Sequence, residues 1–217
     1  MNRLEFARHV DHSLLKPNLT AEQVVSGCEL AMELRCASVC VNPVSVALSR
    51  DVLQGSGVAV GTVIGFPSGA HTSYVKAREA EEAYRLGAVE LDMVINIGAL
   101  KSGRHAEVAK DIEVVVNATP GVVKVILETC FLTDEEKVVG SKLAEEAGAH
   151  YVKTSTGFAP GGAAIEDILL IKGSVSSGMK IKAAGGIADL DFSLKLIEAG
   201  CGRIGISRTA DIIKGLK

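Results

Sequence analysis

Residues 180–207 read KIKAAGGIADLDFSLKLIEAGCGRIGIS. A short, mostly apolar run at Lys180–Ala184 breaks at Gly185-Gly186 and passes into a helical pattern that closes at Gly200. A second short run, Arg203–Ile206, follows. Strand, glycine turn, helix, glycine, strand is the composition of a βαβ unit, whose two strands lie parallel.

Working outward, the same unit recurs along the chain. Short runs rich in Val and Ile fall at Val10–Ser13, Ser38–Val41, Val58–Ile64, Val89–Ile95, Val123–Glu128 and His150–Thr154, which with the two above makes eight. Such runs suit parallel strands covered on both faces. Helical patterns separate them. Thr20-Ala-Glu-Gln23 and Thr133-Asp-Glu-Glu136 have the spacing of capping boxes, in which a hydroxyl and a longer side chain satisfy the first free amides. Asn42-Pro43 reads as an N-cap with proline in the first turn, and Gly87, Gly148 and Gly200 read as left-handed helix ends. Glu79, Glu82 and Arg85 fall on one face of a helix predicted over Ser73–Leu86, read as solvated surface.

Eight such alternations with right-handed crossovers close into a (β/α)8 barrel, here expected as a single domain over residues 1–217. The alternative is an open doubly wound sheet. For nucleotides that fold carries a glycine fingerprint after its first strand, and none follows Val10–Ser13.

Composition narrows the function classes. Hydrophobic residues make up 47% and charged residues 23%, an ordinary globular balance. A net charge of −3 without a basic tract gives no footprint for nucleic acid. No apolar run reaches the ~18 residues of a membrane span, and the N-terminal MNRLEFARHVDHSLL lacks the form of a signal peptide. The five scattered cysteines then suggest reduced thiols in the cytoplasm. Without CxxC or HExxH spacing, no metal site is expected.

Function in a barrel collects at the C-terminal ends of the strands. Three runs carry an ionisable group there: Asp92 in VELDMVI, Lys153 in HYVKTST and Lys182 in MKIKAAGG. Lys124 and Glu128 share one face of the fifth run. A buried lysine needs a partner or a lowered pKa, and two lysines in one mouth lower each other's. A partly neutral lysine is the nucleophile of imine chemistry, with Asp92 offsetting charge and moving protons. On pattern alone a second meaning stays open, a buried ion-pair layer that only sets the barrel's geometry. The double glycine at 185–186, Gly205-Ile-Ser207 and the short helical pattern at Arg208–Leu216 form a candidate phosphate cradle, where free amides approach an anion. Tight turns alone would also explain those glycines. Cys40, His12 and His71 lie near strand ends, where an inert thiol and locally bonded imidazoles are the commoner case.

These residues carry a resemblance. VDHSLLKP, VCVNP, GTVIGFPSGA, ELDMVINIGALKSG, VKVILETCFLTDEEK, YVKTSTGF, KAAGGI and RIGIS occur in that order, and through them the chain resembles the deoxyribose-phosphate aldolase family over essentially its whole length. The resemblance implies Lys153 as the imine-forming lysine, Asp92 as the aspartate of the proton relay and Lys182 as the lysine that perturbs the first. It implies a phosphate site at Gly157, Gly185, Gly186, Gly205 and Ser207, and a substrate channel at Asp11, Ser13 and Lys124. Two positions depart from the family pattern, with Ala188 where arginine commonly follows GGI and Arg208 where a second serine is common. Arg208 is therefore a candidate replacement for the missing arginine.

The implied activity is reversible cleavage of 2-deoxy-D-ribose 5-phosphate to D-glyceraldehyde 3-phosphate and acetaldehyde. It needs no cofactor and no partner beyond small phosphorylated sugars and aldehydes. A homodimer or homotetramer is the family-level expectation. Two rival readings keep the barrel: another phosphosugar lyase or isomerase using enediolate chemistry, and a non-catalytic phosphometabolite-binding barrel.

Overall fold

A computed structural model describes Met1–Leu216. Its strands form one closed barrel in the order β1 to β8, each parallel to its neighbours, with β8 returning to β1. The strands are β1 (Val10–Leu14), β2 (Ser38–Val41), β3 (Ala59–Ile64), β4 (Glu90–Val94), β5 (Val122–Ile126), β6 (Tyr151–Lys153), β7 (Lys180–Ala184) and β8 (Arg203–Ile206). All eight expected runs become strands, with ends within a residue or two. The open-sheet alternative is set aside by the β1–β8 pairing, Val10 opposite Ile204 and Asp11 opposite Gly205.

The helices are α1 (Arg3–Ala7), α2 (Ala21–Leu34), α3 (Val46–Leu53), α4 (Ser73–Leu86), α5 (Ile97–Lys101), α6 (His105–Asn117), α7 (Asp134–Glu146), α8 (Ile165–Ser174), α9 (Leu190–Ala199) and α10 (Thr209–Ile213). Both expected capping boxes form, Thr20 with Gln23 and Thr133 with Glu136. Asn42-Pro43 opens a 3-10 turn, and the Asn42 side chain does not cap it; its amide donates instead to the Leu15 carbonyl at 3.4 Å. Gly87 and Gly200 end α4 and α9 at positive φ.

Alternation along each strand divides the core in two. Leu91 and Met93, Val123 and Val125, and Ile204 and Ile206 point outward into the apolar layer under the helices. Each such burial contributes roughly 1.5–3 kcal/mol. The intervening residues point inward, and they include most of the barrel's charge.

Two local expectations change. Glu82 and Arg85 are exposed, but Glu79 is half-buried and accepts the Gly65 N–H at 2.8 Å, because the loop after β3 folds onto α4. Glu128 lies beyond the end of β5, at φ 57, with its carboxylate on the Thr156 N–H and hydroxyl. It ties the loop after β5 to the loop after β6. A further buried pair is outside the barrel: Lys76 of α4 donates to Asp111 of α6 at 2.5 Å and to the Val94 carbonyl at 2.9 Å.

Candidate active site

Register brings the inward charges together. Lys153 of β6 is directly beside Lys182 of β7, and Asp92 of β4 is beside Lys124 of β5. The Asp92 Oδ2 accepts from Lys153 Nζ and Lys182 Nζ, each at 2.7 Å. Its Oδ1 faces Lys124 Nζ at 3.2 Å. Lys182 also contacts Asp11 of β1. Lys124 reaches Asp11 at 2.8 Å and Glu90 at 2.6 Å. Arg203 closes the network from below, pairing with Asp11 and, at 2.9 Å, with Glu90.

Four cations (Lys124, Lys153, Lys182, Arg203) thus meet three carboxylates (Asp11, Glu90, Asp92) inside the barrel. One positive charge lacks a counter-ion in a desolvated place, so one proton is held weakly. Contacts decide which. Lys124 touches three carboxylates, Lys182 two and Lys153 one.

The protonation preferences follow that ranking. Burial pushes the Lys153 ammonium below the ordinary lysine value, and the charge of Lys182 adds to this against the pull of Asp92. For Lys182 burial acts the same way, but Asp11 and Asp92 outweigh it and raise its pKa. Lys124 is held well above the ordinary value, its carboxylates again overcoming burial. Burial alone would raise Asp11 and Asp92, yet the surrounding cations hold both well below the usual carboxylate range.

A cavity of about 290 Å³ opens above this cluster. Lys153 lies at its floor, with Ser13, Gly157, Gly185, Gly186, Gly205 and Ser207 in its walls. Asp92, Lys182, Asp11 and Lys124 lie beneath, at most 1% exposed and outside the lining. Gly185 has φ 86, and a Cβ there would meet Gly162 Cα at 3.1 Å, so glycine lets two loops touch backbone to backbone. A Cβ at Gly205 would press on the Lys182 Cε at 3.3 Å, so this glycine also makes room for the lysine stem. Arg208 is placed differently: its side chain is 63% exposed, its guanidinium rests on Asp211 at 3.3 Å, and it does not line the cavity.

Among the weaker candidates, His12 is buried with Nδ1 on the Thr209 hydroxyl at 2.8 Å, and burial pushes it down to about 4. Burial likewise pushes the Cys40 thiol up to about 11. His71 is exposed. Sequence reading missed Glu90, Arg203 and the rim lysine Lys16. For Glu90 the signal was present, since it is two residues before Asp92 and therefore on the same inward face. Among the described residues no cluster of three or more His, Cys, Asp or Glu side chains is arranged to hold a metal, and no helix is long and apolar enough to cross a membrane.

A model of the DeoC/LacD family of aldolases matches residues 6–214. A deoxyribose-phosphate aldolase of Clostridium kluyveri is 51% identical over 215 residues, covering 98% of this chain and 99% of the relative. One from Staphylococcus carnosus is 50% identical over 99% of this chain and 98% of its own. The solved structure of a tetrameric deoxyribose phosphate aldolase from Aeropyrum pernix superposes with a TM-score of 0.91 at 29% identity, over 98% of this chain and 91% of that one.

Proposed function

The chain belongs to the DeoC/LacD family of aldolases, and on that footing we propose that it reversibly cleaves 2-deoxy-D-ribose 5-phosphate to D-glyceraldehyde 3-phosphate and acetaldehyde through an imine on Lys153. One observation carries the mechanism: Lys153 is the lysine that both faces the cavity and has a single carboxylate partner, so its proton is the one the cluster holds least.

In the synthetic direction the neutral Nζ of Lys153 adds to the acetaldehyde carbonyl, and loss of water leaves an imine. Its protonated form is the electron sink. Asp92, with Lys182 and through a water molecule, takes a methyl proton, and the electron pair of that C–H bond becomes the enamine double bond. The enamine carbon attacks the aldehyde of glyceraldehyde 3-phosphate, whose oxygen gains a proton. Water then hydrolyses the imine and frees Lys153. No metal or organic cofactor enters. Asp11 and Lys124 support the cluster from below, and Ser13 borders the channel. The amides around Gly157, Gly185, Gly186 and Gly205, with Ser207, receive the phosphate. Arg208 joins them only by leaving Asp211. In the cell we place the enzyme in the cytoplasm, as a homodimer or homotetramer.

Incubating the protein with deoxyribose 5-phosphate and a chelator tests the reading. Acetaldehyde and glyceraldehyde 3-phosphate should appear in equal amounts, at a rate the chelator leaves unchanged. A rate abolished by the chelator, or an isomerised sugar without acetaldehyde, contradicts it.

A further inference from the structure

The loops after β7 and β8 supply the cavity with no cation: Ala188 carries none, and the Arg208 guanidinium rests on Asp211 outside the lining. Lys16, on the loop after β1, does line it. Its side chain is exposed, and among the described residues it has neither an ion pair nor a side-chain hydrogen bond. Lys153 at the floor is the other cation of the lining, and no carboxylate belongs to it. The rim therefore has positive charge that nothing in the protein neutralises.

The backbone beneath Lys16 is fixed while its stem is free. The Leu15 carbonyl accepts from the Asn42 side chain at 3.4 Å, and the Lys16 carbonyl accepts from the Leu19 N–H at 3.3 Å. β1 pairs with β8, so the segment carrying Lys16 borders the wall formed by Gly205, Ile206 and Ser207. A sugar phosphate spanning the cavity has two unlike ends: a carbonyl carbon that must reach Lys153, and a dianion that gains most from an unpaired cation at the rim.

We propose that Lys16 binds the 5-phosphate of the substrate and so selects phosphorylated over free sugars. This deepens the aldolase reading above and rests on it. The ammonium contributes a mobile point charge, which suits a phosphate that must enter and leave, while the backbone amides of the glycine loops give direction.

The test measures kcat and KM for deoxyribose 5-phosphate and for free deoxyribose in the wild type, K16Q, K16R and R208S. K16Q should raise KM for the phosphosugar roughly ten- to hundred-fold, the loss expected for one charge-assisted contact. Its kcat should hold, so that preference for the phosphosugar over the free sugar collapses, and K16R should restore the low KM. Inorganic phosphate should inhibit cleavage of free deoxyribose competitively in the wild type and only weakly in K16Q. An equal rise of KM for both sugars in K16Q, no rise for either, or the phosphate-specific loss appearing in R208S instead would overturn the assignment. A wild type that cleaves neither sugar removes the aldolase reading itself, and this inference with it.

Discussion

Three lysines enter the barrel from adjacent strands, and nothing in their side chains distinguishes them. Their neighbours do. Lys124 touches Asp11, Glu90 and Asp92, Lys182 touches Asp11 and Asp92, and Lys153 touches Asp92 alone. The residue types were legible in sequence, because an ionisable group inside an apolar run needs a reason. The number of partners was not, since it depends on how far β1, β4 and β5 slide past one another around the ring. Removing the charge of Lys182 has a defined sign. A positive neighbour disfavours protonation, so K182L should raise the pKa of Lys153 and shrink its neutral fraction at a given pH. The pH–rate profile should move to higher pH, with part of the lost rate recovered in alkali. A mutant inactive at every pH would give Lys182 a direct chemical role, and an unshifted profile with full activity would give it none.

At the level of elements, strands were easier to read than the loops that carry the site. A run such as VKVIL states its own periodicity, and TAEQ and TDEE state their own caps. The loops take their shape from each other. Glu128 adopts a left-handed conformation that its residue type disfavours, held there by Thr156 on the next loop. Likewise Glu79 leaves its solvated face for the Gly65 amide. His12 shows the same dependence, its Nδ1 on Thr209 joining β1 to the first residue of α10. Burial pushes this imidazole down to about 4. The unfolded chain therefore binds a proton near pH 6.5 that the folded chain refuses until pH 4, so stability is full above 6.5 and falls through that window. The loss amounts to about 3 kcal/mol from this group. Denaturant unfolding followed from pH 7 to pH 4 should show this slope in the wild type and a flatter one in H12Q. Equal slopes would place the acid sensitivity elsewhere.

For the whole molecule, closure of the ring creates the chemistry. Asp92, Lys153 and Lys182 come from β4, β6 and β7, and Asp11 from β1. Only a barrel whose β8 returns to β1 turns all four toward one axis. The number of strands and their parallel order could be read from the glycine-punctuated repeat. The imbalance of four cations against three carboxylates could not, because Arg203 of β8 meets Asp11 and Glu90 only once the ring is closed. On the function proposed above, that imbalance is what makes Lys153 the nucleophile. Borohydride reduction in the presence of acetaldehyde, followed by peptide mass mapping across the chain, tests it most directly. The predicted result is an ethyl group on Lys153, formed in step with loss of activity and absent from an inactive K153A. An ethyl group found only on Lys182 or Lys124 would contradict it.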